Sequence, residues 1–123
     1  MADAVFNMEE LERNAADLRR EYEAAEPFPH LVIDDLLRVS PSAASAFPDI
    51  SWPSWGGNHV MRYQRNKLSC SDIEVIPEPF RALIRELNDP RFLRVLEQIT
   101  GIKRLLPDPY LTGGGLHLGR AAS

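Results

Sequence analysis

The sequence predicts an α+β protein. Three segments carry apolar residues at the three- and four-residue spacing of amphipathic helices. Two shorter segments, residues 30–33 and 59–65, carry the β-branched or alternating apolar residues that are typical of strands. The chain has 123 residues, which is enough for one domain, or part of one, with a modest core.

The first predicted helix starts at Asn7, which can cap it, with Glu10 at the third helical position as in a weaker relative of the capping box. Pro27 and Pro29 end it, because proline removes a backbone donor and restricts the residue before it. We therefore separate an acidic amphipathic helix, residues 1–26, from a second region, residues 27–123. The apolar stripe of the helix consists of Met8, Leu11, Ala15, Leu18 and Tyr22.

Residues 30–33 follow these prolines and predict a short buried strand, because Val32 and Ile33 are β-branched. We expect Asp34 or Asp35 to cap the element that follows.

Residues 40–57 are rich in Ser, Pro, Ala and Gly, which indicates a long loop, or a short helix followed by a loop. Its two tryptophans, Trp52 and Trp55, are expected to cover a hydrophobic edge. A flat aromatic platform for a proline-containing or other peptide is the alternative. Residues 59–65 then alternate enough to predict a strand.

Two adjacent helices are predicted over residues 79–100. Pro79 lies near the start of the first, Asn88-Asp89-Pro90 separates them, and Gly101 follows the second as its C′ residue. Such a pair with a tight break predicts a helical hairpin that backs a sheet. The apolar positions are Phe80, Leu83, Ile84 and Leu87 in the first helix and Phe92, Leu93, Leu96 and Ile99 in the second.

Charge and composition exclude some classes of function. The isoelectric point is about 5.3 and the net charge is −4, whereas a nucleic-acid-binding protein usually has a basic face. Residues 1–26 carry eight acidic and three basic side chains, so the acidity belongs to the first helix. No apolar run reaches membrane-spanning length, and Cys70 is the only cysteine. We expect a cytoplasmic protein that binds neither nucleic acid nor membrane, with Cys70 as a small core residue.

The three histidines, His30, His59 and His117, do not predict a metal site. A facial-triad iron site needs two histidines and a carboxylate, and its local signature is His-X-Asp or His-X-Glu on an extended strand. The residues two positions after the histidines are Val32, Met61 and Gly119. A site assembled from scattered residues, such as His30, Asp34 and His117, is the alternative.

The segment TGGGLHLG, residues 112–119, is the other candidate for chemistry. Its glycines would let backbone amides approach a phosphate, but no Lys-Ser/Thr follows and the spacing is neither that of a P-loop nor that of GxGxxG. Three successive glycines favour a bend or bulge where the backbone passes close to another element.

Three segments resemble the N-terminal part of iron(II)- and 2-oxoglutarate-dependent oxygenases, with the prolyl-hydroxylase-like branch most similar. They are PFPHLVIDDLL (27–37), NKLSCSDIEVIPEPFRALIRELNDPRFLRVLEQITGI (66–102) and LLPDPYLTGGGLH (105–117). The resemblance covers about three quarters of the chain, and the order of the segments agrees. It implies supporting helices and the first strands of an incomplete double-stranded β-helix, or jelly-roll.

The resemblance also implies a dioxygenase, an oxidoreductase that uses Fe(II) and 2-oxoglutarate. In that family the His-X-Asp motif follows the GGGLH strand, and a distant histidine and an Arg or Lys for 2-oxoglutarate come later. None of these can be assigned here, so we expect no catalytic and no metal-binding residue, and no activity of this chain alone. Tyr63 and His117 are expected to face the pocket of the complete protein, or else to serve in packing.

Two other interpretations stay open at the level of sequence. The chain could be a non-catalytic interaction module that uses a sheet edge, the acidic helix or the surface of Trp52 and Trp55. It could also be a truncated remnant without a function of its own. An incomplete β-helix leaves open sheet edges, so another chain that covers such an edge is the expected partner.

Overall fold

The computed structural model describes residues 5–38, 41–57, 67–112 and 114–119. These residues form a small α+β structure, which confirms the predicted class. Its elements, in chain order, are α1 (Met8–Ala24), a 3-10 helix (Pro41–Ala46), β1 (Gly56–Gly57), β2 (Lys67–Cys70), α2 (Glu78–Leu87), α3 (Pro90–Thr100) and β3 (Leu116–Gly119).

Helix α1 begins and ends as its sequence predicts. The side-chain oxygen of Asn7 accepts a hydrogen bond from the backbone N–H of Glu10 at 3.3 Å, and the Asn7 amide donates to the Glu10 carboxylate at 2.8 Å. The helix ends at Ala24, three residues before Pro27. Leu11 and Ala15 of the predicted stripe are buried, and the other stripe residues pack around them. The amphipathic prediction is therefore confirmed.

Helix α3 also has the predicted ends. The Asp89 side chain accepts from the N–H of Arg91 at 2.8 Å, and Gly101 terminates the helix in the left-handed region, with φ of 76°. The predicted helix over residues 79–87 is present as α2. The predicted hairpin is wrong, because α3 packs its buried face along α1 instead of folding back along α2. The shared core consists of Phe6, Leu11, Ala15, Phe92, Val95 and Ile99.

The predicted strand over residues 30–33 is not present. Leu31 and Ile33 pack against the core cluster, but Val32 is 78% exposed and the segment has no strand assignment. Asp34 and Asp35 form a turn, and no helix starts there, so the capping prediction is wrong as well. The sequence pattern of residues 30–33 resembles that of a strand because an irregular segment also places its apolar residues on one side.

The sheet is antiparallel, with strand order β1-β2-β3. In β2 and β3, Ser69 lies opposite His117 and Cys70 lies opposite Leu116. Strand β1 has only two residues and pairs with the other edge of β2. The strand predicted over residues 59–65 lies outside the described residues, whereas the sequence does not predict β2.

The chain divides into two compact units. The first comprises Met1–Ser40 with Ala82–Pro107, and the second comprises Pro41–Arg81 with Asp108–Ser123. The first unit contains α1, α3 and the core cluster, and the second contains the sheet. The 3-10 helix followed by a loop confirms one of the two expectations for residues 40–57. The division after residue 26 stays a prediction.

Candidate functional site

Two residues, Tyr63 and His117, are expected from the sequence to face a pocket, and the structure describes His117. It lies in the middle of β3, opposite Ser69, and its side chain is exposed. Tyr63 lies outside the described residues, as does His59. The structure therefore places His117 on the sheet surface.

The described histidines do not form a metal centre. The Nδ1 atom of His30 lies 2.9 Å from the carbonyl oxygen of Phe28, and its ring meets the Phe28 ring edge-on with centroids 5.6 Å apart. Within the part of the chain that the structure describes, no three His, Cys, Asp or Glu side chains group together as metal ligands. The described residues thus do not fit an Fe(II) ion.

The glycine segment makes a close backbone approach, as predicted. Gly115 has φ of 139°, and a Cβ atom there would overlap the carbonyl oxygen of Cys70. Before this approach, the Asp108 side chain accepts from the N–H of Thr112 at 2.8 Å, and its carbonyl accepts from the N–H of Leu111 at 3.1 Å. This turn directs the chain into β3, and Gly115 permits the contact with β2.

Strand β3 forms one edge of the sheet. Its inner edge pairs with β2 over all four residues, and no other strand among the described residues pairs with its outer edge. Buried Leu116 faces inward while His117 is exposed, as the strand period of two requires. A sheet edge of this kind can accept a further strand.

The tryptophans pack with one another and with neighbouring rings. The Trp52 and Trp55 rings meet edge-on with centroids 5.1 Å apart, and Trp55 also contacts Phe47 at 5.9 Å. The indole N–H of Trp55 donates to the carbonyl oxygen of Asp49 at 2.7 Å. Both tryptophans are half-buried, which agrees with structural cover for a hydrophobic edge.

A depression in the first unit combines apolar and acidic groups. It has a volume of about 610 Å³, with apolar walls that include Phe6, Leu36 and Leu83. Asp34 and Asp35 stand at its rim, and Asp35 has φ of 56°. Neither carboxylate carries a hydrogen bond or an ion pair within the described part of the chain, so both are free to meet a cationic group.

Two hydrogen bonds from the backbone of Val5 and Phe6 to the Glu86 carboxylate, the Glu86 clasp, hold the N-terminal segment beside this depression. The Glu86 carboxylate accepts from the backbone N–H of Val5 at 2.5 Å and from that of Phe6 at 2.9 Å. The same segment also bonds to Arg38, whose backbone N–H donates to the carbonyl oxygen of Val5 at 2.6 Å. Val5 and Phe6 are buried as a result.

An ion pair joins α1 to α3. The Arg91 guanidinium donates to the Glu12 carboxylate at 2.9 and 2.6 Å, in a bidentate arrangement. The hydrogen bond from Arg91 lowers the pKa of Glu12 and correspondingly raises the pKa of Arg91. In the second unit, the hydrogen bonds from Ser51 lower the pKa of Asp49. These carboxylates therefore serve structural contacts.

No protein-family model, no curated protein and no solved structure matches the chain. None of the described helices is long and apolar enough to cross a membrane.

Sequence reasoning does not reveal the Glu86 clasp or the acidic depression. Glu86 lies about 80 residues from its two donors, and no local pattern indicates such a pairing. The sequence presents Asp34 and Asp35 only as potential caps. Two adjacent acidic residues inside an apolar segment are the available signal, but only the packing of Phe6 and Leu83 shows that they border a depression.

Proposed function

We propose that the 123 residues are the N-terminal portion of an Fe(II)- and 2-oxoglutarate-dependent dioxygenase of the prolyl-hydroxylase-like branch. In this proposal they supply the supporting helices and the first strands of a jelly-roll, while the metal ligands lie outside them. The chain alone is then not a catalyst. The basis is the resemblance of residues 27–37, 66–102 and 105–117, together with the arrangement of the elements that these segments form.

The observation that carries the proposal is the antiparallel pair of β2 and β3, in which no other described strand pairs with the outer edge of β3. The GGGLH segment enters β3 through Gly115, which crosses close to Cys70 of β2. In the proposed fold, the strand that carries His-X-Asp follows this segment and extends the sheet. The outer edge of β3, which is unpaired among the described residues, is where such a strand would add.

In this role the chain performs no reaction step of its own. The resident Fe(II) of the family would supply oxidative chemistry from a site held by two histidines and a carboxylate. The described residues offer His30 and His117, both exposed, and no grouping of three ligands. The role assigned to the chain is therefore support of a site, through the packed α1 and α3 pair and the sheet.

The coding sequence beyond codon 123 tests this proposal. We expect His-X-Asp, in frame or after a frameshift, followed by further strand-forming sequence. The longer product should then bind iron and convert 2-oxoglutarate to succinate, and substitution of the new His or Asp should abolish both. Unrelated sequence beyond the codon, or a longer product that binds no iron, would contradict the proposal.

A non-catalytic interaction module is the second candidate, and the outer edge of β3, to which no described strand is paired, favours it as well. In that case a separate chain adds a strand to β3, and iron has no role. Amide hydrogen exchange at residues 116–119 distinguishes the two. Protection that appears only in the longer product supports the oxygenase portion, whereas protection that appears on binding of a separate partner chain supports the module.

A further inference from the structure

Helices α1 and α3 run parallel, and this gives the first unit two distinct ends. Glu12 of α1 pairs with Arg91 near the start of α3. At the other end, the Arg19 guanidinium lies so close to Gly101 that a Cβ atom there would be 3.2 Å from its Nη2 atom. The 11 residues of α3 separate these ends by about 16 Å, at 1.5 Å per residue.

The acidic depression described above borders the start of α1, and its two aspartates also lie beside Asn14 and Leu18 part-way along that helix. Phe6, which precedes α1, forms part of its wall and stacks on Phe92 in the first turn of α3, with ring centroids 4.8 Å apart. Asp34 and Asp35 supply two free negative charges at the rim. Leu37, which also lines the depression, is 43% exposed, so apolar surface beside these charges is open to water.

A basic loop, residues 102–106, comes directly after α3 and its terminal Gly101. Lys103 and Arg104 are exposed and carry no hydrogen bond or ion pair within the described residues. Ile102 and Leu106 on either side are 51% and 84% exposed. The N–H of Leu105 donates to the Glu97 carboxylate at 3.1 Å, which fastens the loop to α3.

We propose that the chain forms a two-fold symmetric dimer in which the basic loop of each copy docks in the acidic depression of the other. The two surfaces are complementary, because each combines two free charges of one sign with exposed apolar side chains. Docking would pair Lys103 and Arg104 with Asp34 and Asp35 and would remove leucine side chains from water.

The two surfaces belong to the same chain, so a second copy carries the complement of each. Within one copy no ion pair among the described residues joins Lys103 or Arg104 to Asp34 or Asp35, so the two surfaces do not satisfy one another. In a two-fold dimer each depression would instead face the partner's loop. One symmetry operation therefore satisfies both contacts, as in an isologous interface. This inference does not depend on the proposed oxygenase function.

The interface is small, so the dimer should be weak and sensitive to salt. Two docked loops of five residues bury an area at the low end of specific interfaces, below about 1,200 Å² in total. Exposed charge pairs lose most of their attraction at about 1 M salt, where the Debye length is about 3 Å. We expect dimers at low salt and high protein concentration, and monomers at high salt.

Variants with reversed charges on one or the other surface test the proposal. Sedimentation equilibrium of the full chain measures how strongly each variant dimerises. One variant carries Asp34→Lys with Asp35→Asn, since Asn tolerates the left-handed backbone at position 35. The other carries Lys103→Glu with Arg104→Glu. Each variant alone should be at least tenfold weaker in dimerisation than the natural chain. An equimolar mixture should regain dimers, because both contacts then pair opposite charges.

The control is Glu21→Lys, which changes charge on the exposed face of α1 without touching either surface. It should dimerise like the natural chain, and circular dichroism should show that every variant keeps its helices. A natural chain that is monomeric at low salt would overturn the proposal. So would a mixture that stays monomeric, or single variants that dimerise undiminished, since the contact would then lie elsewhere. If a charge variant fails to fold, Asp34→Asn and Lys103→Gln replace it, and each should weaken dimerisation.

Discussion

At the residue scale, Gly115 connects the glycine segment to the sheet. Its φ of 139° lies where only glycine is comfortable, and a Cβ atom would meet the carbonyl of Cys70. We predict that Gly115→Ala destabilises the protein by about 2 kcal/mol or more, from backbone strain and the clash together. Urea unfolding followed by the fluorescence of Trp52 and Trp55 measures this loss.

Gly119 provides the matched control, because a Cβ atom there meets nothing within 4 Å. Gly119→Ala should change the free energy of unfolding by less than about 0.5 kcal/mol. Equal effects of the two substitutions would contradict the assignment of a close approach to Gly115.

Glu86 is a second residue with a specific structural role. Glu86→Gln keeps the shape of the side chain but turns an N–H donor toward a backbone N–H in the clasp with Val5 and Phe6. We predict a loss of about 1–3 kcal/mol in the free energy of unfolding, together with faster amide exchange at Val5 and Phe6. Glu21→Gln on the exposed face of α1 should leave both measurements unchanged. Unaltered exchange at Val5 and Phe6 in the Glu86 variant would exclude the clasp.

The ion pair between Glu12 and Arg91 predicts a dependence of stability on pH. Because the pKa of Glu12 is lowered in the folded protein, the ion pair contributes fully to the free energy of unfolding when the pH is above about 4.3, the ordinary pKa of glutamate. It is lost as the pH falls through the lowered folded value. The difference in unfolding free energy between the natural chain and Glu12→Gln should therefore shrink from pH 7 to pH 3, and also in high salt. A difference that stays constant with pH would contradict this assignment.

At the scale of single elements, the ends of α1 depend on local chemistry. We predict that Asn7→Ala lowers the free energy of unfolding by about 1 kcal/mol, because the N–H of Glu10 loses its acceptor. Asn7→Ser should retain most of the stability, since serine accepts the same bond. Circular dichroism during thermal unfolding checks the pair, and equal losses would argue against capping.

All three helices could be predicted from the sequence because their signals are local. Each signal acts within a few residues: the caps Asn7 and Asp89, the helix-ending Gly101, and the spacing of the apolar residues. Their packing partners are not local, and this is why the predicted hairpin of α2 and α3 is wrong. The burial of Phe92, Val95 and Ile99 against α1 depends on residues about 80 positions away.

The strands are harder to predict for a related reason. Residues 30–33 have β-branched side chains, but a strand also needs a paired neighbour, and none of the described strands pairs with them. Strand β2, Lys67–Cys70, has no clear alternation, and its pairing with β3 stabilises it. Such pairing preferences depend on context more than helix preferences do.

At the scale of the whole molecule, the candidate site could be predicted only in part. The close approach at Gly115 is predictable, because successive glycines with no phosphate-binding spacing favour a bend against a neighbouring strand. The acidic depression is not predictable in this way, since it forms only where Phe6, Leu36 and Leu83 meet. The roles of Tyr63 and His117 stay predictions about a pocket that a longer protein would complete.

The central claim is that these 123 residues support an oxygenase fold but do not hold its iron. Anaerobic titration of the purified chain with Fe(II) and 2-oxoglutarate tests it most directly. When both bind one site, a visible charge-transfer band develops in proportion to occupancy. We predict no such band, with only weak and non-saturating uptake of iron. A band that saturates at one iron per chain, and that His117→Ala or His30→Ala abolishes, would contradict the claim.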